Sequence, residues 1–139
     1  MNSYEFHVAV RVRHPTLAPS DVTEAMGVTP SHSWQAGEPR RSLDGTPLEG
    51  LYRGSYWIAP AMPDERVSSS VISLDAALMA SLRRLQHVER FIAGINADGG
   101  SVDLSVSIFG GGNIGLELSA PLLLRMGRLG VAVALDVYS

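Results

Sequence analysis

Ten consecutive residues near the start of the chain follow a strict period of two: Tyr4, Phe6, Val8, Val10 and Val12 fall on one face, and Glu5, His7, Ala9, Arg11 and Arg13 on the other. Successive side chains of a β-strand point to opposite faces, so this pattern predicts a half-buried strand belonging to a sheet with one face against a core. His14-Pro15 ends it. The rest of the fold has to be built around that sheet.

Helical signals follow. Leu17 to Gly27 reads as a short helix with Pro19 at its first turn, Asp21 and Glu24 complementing the N-terminal dipole, and Gly27 as its stop. From Leu74 the apolar residues Leu74, Leu78, Leu82, Leu85, Val88, Ile92 and Ile95 step by three and four, which predicts one long helix or two joined near Gln86-His87, ended by Asp98-Gly99-Gly100. Ser119 is placed to cap a further helix carrying Leu122, Leu123, Met126 and Leu129, with Gly130 after it.

Strands are expected over Ser55–Ala59, over Val102–Ile108, over a return segment Ile114–Leu118 reached through a Gly110–Asn113 turn, and over Val131–Tyr138. Pro60 to Ser70 reads as a mobile connector. The expected order is β-α-β-α-β-β-α-β. This is an α+β domain spanning residues 1–139, with a five-stranded mixed, largely antiparallel sheet and helices packed on one face, a ferredoxin-like variant. Gly110-x-Gly112-x-x-Gly115 matches the dinucleotide fingerprint and Asp136 lies at a suitable distance, but the fingerprint needs a helix to open at once. With Leu116-Glu117-Leu118 read as strand, the glycines are assigned to a hairpin turn.

Between the first helix and the second strand lies the least regular stretch, Gly27 to Trp57, rich in proline and glycine and holding both tryptophans of the chain, Trp34 and Trp57. A loop of this length in a small domain is either functional or pinned by its own buried aromatics. Two readings of Trp34, Gly37, Glu38, Arg40, Arg41 and Trp57 follow. In the structural one, Trp34 plugs the core edge, Gly37 makes a turn and Glu38 pairs with an arginine. In the functional one, the forked donors of Arg40 and Arg41 face an anionic group beside an aromatic wall.

Composition removes several chemistries. The chain has no cysteine, so disulfides, thiolate nucleophiles and cysteine-bound zinc are excluded. All eleven basic residues are arginine, which removes Schiff-base lysines and the P-loop lysine. A net charge of −3 argues against a nucleic-acid partner. No signal-peptide pattern or membrane-length apolar run is present, so a cytoplasmic protein is expected, with no membrane partner. The four histidines lack metal-ligand spacing, and no nucleophile elbow occurs. No metal, cofactor or catalytic residue is assigned.

The opening strand, the Pro19 helix ending in Met26-Gly27-Val28-Thr29-Pro30, the Ser33-Trp34…Gly37-Glu38 element, Ser55-Tyr56-Trp57 and the closing Leu135-Asp136-Val137-Tyr138 together resemble the bacterial family called domain of unknown function 4279. The Pro30-to-Glu38 spacing and the final Asp-x-Tyr are the most specific parts, and the longer Ser42–Arg53 segment is a departure. The resemblance implies small, stand-alone bacterial proteins without an established activity, some of them connected with immunity beside toxin genes.

Two functions are therefore expected. The first is a non-enzymatic protein-binding or regulatory module, immunity-like, that presents the Trp34/Arg41 loop to a protein partner such as a toxin. The alternative is an enzyme or sensor for a small anionic ligand held by Arg40 or Arg41 beside Trp34 and Trp57, with Glu38 or Asp136 as base. A homodimer through the uncovered sheet face is a further expectation, because Ala9, Ala132 and Ala134 keep that face small.

Overall fold

The computed structural model describes all of residues 1–139. The alternating stretch is strand β1, Glu5–His14, and its apolar face forms the floor of the core: Phe6, Val8, Val10 and Val12 are all buried. Helix α1 (Pro19–Met26) opens on Pro19 and stops at Gly27, as its residues dictate. The chain then runs through three short strands, β2 (His32–Trp34), β3 (Pro39–Arg41) and β4 (Pro47–Leu51), before β5 (Ser55–Pro60). So the stretch expected to lack regular structure contains three strands.

β5 pairs antiparallel with β1, placing Trp57 opposite Val12 and Ala59 opposite Val10 on the core face. It pairs only with Ala9 to His14 and leaves the first half of that β1 edge open. The segment expected to be a mobile connector fills this gap. Its two-residue strand β6 (Val67–Ser68) pairs with Glu5 and Phe6, and the Ser69 hydroxyl accepts from the Tyr4 backbone N–H at 2.9 Å. Unpaired length on a central strand is costly, which accounts for the ordering of this segment.

The long helical region is two helices, α2 (Leu74–Leu85) and α3 (Glu89–Ala97), joined by a 3-10 turn at Gln86–Val88. Leu82, Leu85 and Val88 are all buried. Their spacing of three suits the tighter helix better than the α-helix, so the break falls where the apolar stripe changes step.

Strand β7 (Ser101–Phe109) pairs antiparallel with β1 and parallel with β8 (Ala132–Tyr138), with α4 (Ala120–Leu129) between them. The expected return strand over Ile114–Leu118 does not form. β7 is central, with both edges taken by β1 and β8, and a hairpin partner would have no edge to join. The expected element order rested on that hairpin, as did the ferredoxin-like variant. The observed sheet has the order β2-β5-β1-β7-β8 with β6 beside β1, antiparallel but for the β7–β8 pair.

A single core cluster of 24 buried residues joins the sheet's apolar face to all the helices. The opposite face carries His7, Ala9, Arg11 and Arg13 of β1. At its centre the Arg11 guanidinium donates to both oxygens of Asp103, with Nη2 to Oδ2 at 2.9 Å and Nε to Oδ1 at 3.1 Å. Burial works against the Arg11 charge, but the Asp103 hydrogen bonds and attraction outweigh it and hold the guanidinium pKa above its ordinary value. No helix is long and apolar enough to cross a membrane.

Candidate functional site

β2 is the edge strand next to β5, and antiparallel register sets Trp34 opposite Tyr56 and His32 opposite Ile58. Trp34 therefore lies on the face away from the helices. Its ring stacks on Tyr56 (centroids 4.5 Å, planes 18° apart) and on Tyr52 (4.3 Å, 9°). Two rings this close to one indole cannot share a face, so the tyrosines cover both sides of it. His32 meets it edge-on at 5.5 Å, and the indole N–H donates to the Gly54 carbonyl at 3.1 Å. On the far side the Arg13 guanidinium lies 5.8 Å from the Tyr56 ring, close enough for a cation–π contact.

This stack clamps the root of an arm. Gly37, with φ at +86°, turns the chain after Trp34, and its N–H donates to the Tyr52 carbonyl, while the Tyr52 N–H donates to the Glu38 carbonyl. The left-handed region suits glycine, which explains the residue type at this position. The Glu38 carboxylate accepts from the Gln35 backbone N–H at 2.5 Å; it caps its own turn instead of pairing with an arginine. The Tyr52 hydroxyl accepts from the Arg41 N–H and donates to the Arg41 carbonyl, so one side chain both stacks at the root and braces the first strand of the arm.

Beyond the root, β3 and β4 form a separate two-stranded sheet, and every residue in both strands is exposed. Arg40 Nη1 donates to the Glu49 carbonyl, but neither Arg40 nor Arg41 has an ion-pair partner. Leu43, Leu48 and Leu51 are exposed at 86%, 43% and 59%. At the tip, one Asp44 oxygen accepts from the Ser42 and Thr46 hydroxyls and from the Thr46 N–H.

These bonds, the Ser42 hydroxyl's first, lower the Asp44 pKa from 3.8 to about 2. A depressed carboxylate supports the folded turn above its ordinary pKa and loses that support as pH falls through the lowered value. The Asp44 carboxyl carbon followed by NMR should therefore titrate near pH 2, with the Thr46 amide losing exchange protection over the same range. A midpoint near the ordinary value would contradict this geometry.

The candidate residues thus separate into three places. Trp34, Gly37, Glu38, Arg40 and Arg41 meet at the arm. Trp57, 1% exposed, is in the core on the opposite face, its N–H donating to the Thr23 hydroxyl of α1 at 3.0 Å. The two indoles do not form one wall. Asp136 is exposed on β8 at the far edge of the sheet, four strands and about 19 Å from β2. Tyr52 and Tyr56 are the site residues that sequence reasoning missed. The available signal was parity: Tyr56 alternates with the buried Trp57 and so had to face the other way.

The glycine-rich run is no phosphate cradle, for a reason other than the expected strand. The first residues of the chain lie over it: the Asn2 N–H donates to the Asn113 carbonyl, a Cβ on Gly112 would meet the Asn2 amide at 2.5 Å, and one on Gly115 would collide with Met1. The N-terminus of α4 already holds a carboxylate, since Asp75 accepts from the Ser119 N–H and hydroxyl.

A comparison with curated proteins and one with solved structures each returned no match. The model of the family described as Domain of unknown function (DUF4279) matches residues 4–139, nearly the whole length, and the chain belongs to that family.

Proposed function

We propose that this protein is a non-enzymatic binding module whose arm, Pro39 to Leu51, docks on another protein, with an immunity-like or regulatory role. The observation that carries this reading is the arm itself. None of its eight strand residues is buried, yet they are held in one conformation by an aromatic clamp at the root. An isolated two-stranded hairpin is marginal in water, so ordering one away from the core serves presentation. Its exposed leucines and unpaired arginines suit a partner surface with an apolar centre and an acidic rim, in the manner of a toxin neutralised by its immunity protein. A bacterial, cytoplasmic setting fits this role, and the family resemblance supports the bacterial part of it.

The small-anion alternative has less behind it. Arg41 shares a hollow of about 240 Å³ with His32, Trp34 and Tyr52. Both faces of Trp34 are already covered, so a ligand there has no indole face to stack on.

The test pairs the intact protein with a variant whose residues 40–50 are replaced by a short glycine turn. Cross-linking in lysate of the source cells should capture one defined protein with the intact chain and lose it at least tenfold with the variant, whose main sheet stays folded by circular dichroism. Equal capture by both would remove the arm from the function. A thermal-shift response of the intact chain to phosphates or dicarboxylates, abolished by Arg41→Ala, would favour the anion reading instead.

A further inference from the structure

The two edges of the main sheet are treated differently. One ends in β2, three residues long and followed at once by the arm. The other is β8, seven residues in unbroken parallel register with β7 from Ala132 to Tyr138. Its outer edge has no strand partner, and outside the ladder its only backbone hydrogen bond is from the Gly110 N–H to the Tyr138 carbonyl. Natural sheets protect such edges with lysine, proline, bulges or brevity. Ala132-Val133-Ala134-Leu135-Asp136-Val137-Tyr138 has none of these and only one charged side chain, Asp136, and Leu135, Val137 and Tyr138 are exposed at 43%, 65% and 53%.

We propose that this edge is the seat of a second copy of the chain, with two β8 strands pairing antiparallel about a two-fold axis at Leu135. Length and charge choose both the partner and the register. Pairing centred on Leu135 uses all seven residues, setting Leu135 against its own copy and Val133 against Val137. It sets Asp136, the only charged side chain in the strand, against Ala134 of the other copy. Centring on Asp136 would instead place two carboxylates face to face, which is destabilising. The two sheets then run on continuously from one β2 to the other, ten strands in the main path, near the usual limit for an open twisted sheet.

The uncovered sheet face is a poorer seat for a second copy. Its centre is the Arg11–Asp103 ion pair, which a face-to-face dimer would strip of its remaining water. Edge pairing leaves both arms free at opposite ends of the assembly, so a dimer would offer a partner two binding points. The edge proposal does not depend on what the arm binds.

The absence of native cysteine makes the test specific to one position. Single variants Val133→Cys, Leu135→Cys and Val137→Cys are oxidised separately in the full chain. A disulfide needs Cα atoms within about 7 Å. Only Leu135→Cys meets that requirement, since residue 133 and its own copy lie about 13 Å apart in this register. Covalent dimer at Leu135→Cys exceeding the other two at least tenfold is the expected result. Sedimentation at about 50 µM should show a dimer for the unmodified chain and a monomer for Leu135→Lys, with circular dichroism unchanged. Ala134→Lys should remain dimeric, its lysine meeting Asp136 of the other copy. An unmodified chain that sediments as a monomer, or equal cross-linking at all three positions, would overturn the proposal.

Discussion

Replacing Trp57 by alanine should lower stability by about 3–5 kcal/mol, the range for deleting a large aromatic from a packed core. For a chain of this size the melting temperature would fall by on the order of 10 °C. The ring is 1% exposed and sits beside Val12 of β1 and Val22 of α1, where collapse around the deletion is limited by the sheet beneath it. The indole N–H also holds α1 through Thr23, whose hydroxyl in turn donates to the Pro19 carbonyl. Trp57→Phe keeps most of the volume and loses that bond, so it should cost about 1–2 kcal/mol. Urea unfolding checks both values, and a loss below about 1 kcal/mol for Trp57→Ala would show that this ring is not a core residue.

Trp34→Ala should act differently. It removes two stacking contacts worth about 0.5–1.5 kcal/mol each beyond their area, and one hydrogen bond worth about 1 kcal/mol. About 2–4 kcal/mol of local stability is expected to go, most of it from the arm, because the stack bridges β2, β5 and the root of β4 but does not enter the core cluster. Opening of a peripheral unit can cost less than global unfolding. The global transition should therefore shift by much less than for Trp57→Ala, while the Tyr52 contacts that brace Arg41 are lost.

These opposite expectations for two tryptophans in one stretch show what could be read from the sequence. Local signals carried through: the period of β1, the proline start of α1, the glycine stops of α1 and α4, the Ser119 cap, and the helical stripe from Leu74 to Ile95. Those features depend on residues a few positions apart. Long-range pairing did not carry through. Ile114–Leu118 alternates well enough to be a strand, but β7 had no free edge, a fact decided by the distant β1 and β8. Pro60–Ser70 has the composition of a mobile connector, but β1 outruns β5 and leaves room for β6.

At the site, the sequence identified the loop and the Trp34-x-x-Gly37-Glu38 element but placed both indoles together. Register alone separates them. Trp34 pairs with Tyr56, whose neighbour Trp57 must then face the core. Tyr52 went unremarked because its importance comes from folding back over the Trp34 ring, which no periodicity reports.

Backbone hydrogen exchange, residue by residue, on the intact chain, Trp34→Ala and Trp57→Ala tests most directly whether the aromatic clamp, and not the core, orders the arm. The account predicts that Trp34→Ala loses protection over residues 37–52 while β1, β5 and β7 keep theirs, and that Trp57→Ala loses protection across the sheet and helices. Protection of the arm unchanged in Trp34→Ala, or the same pattern of loss in both variants, would contradict it.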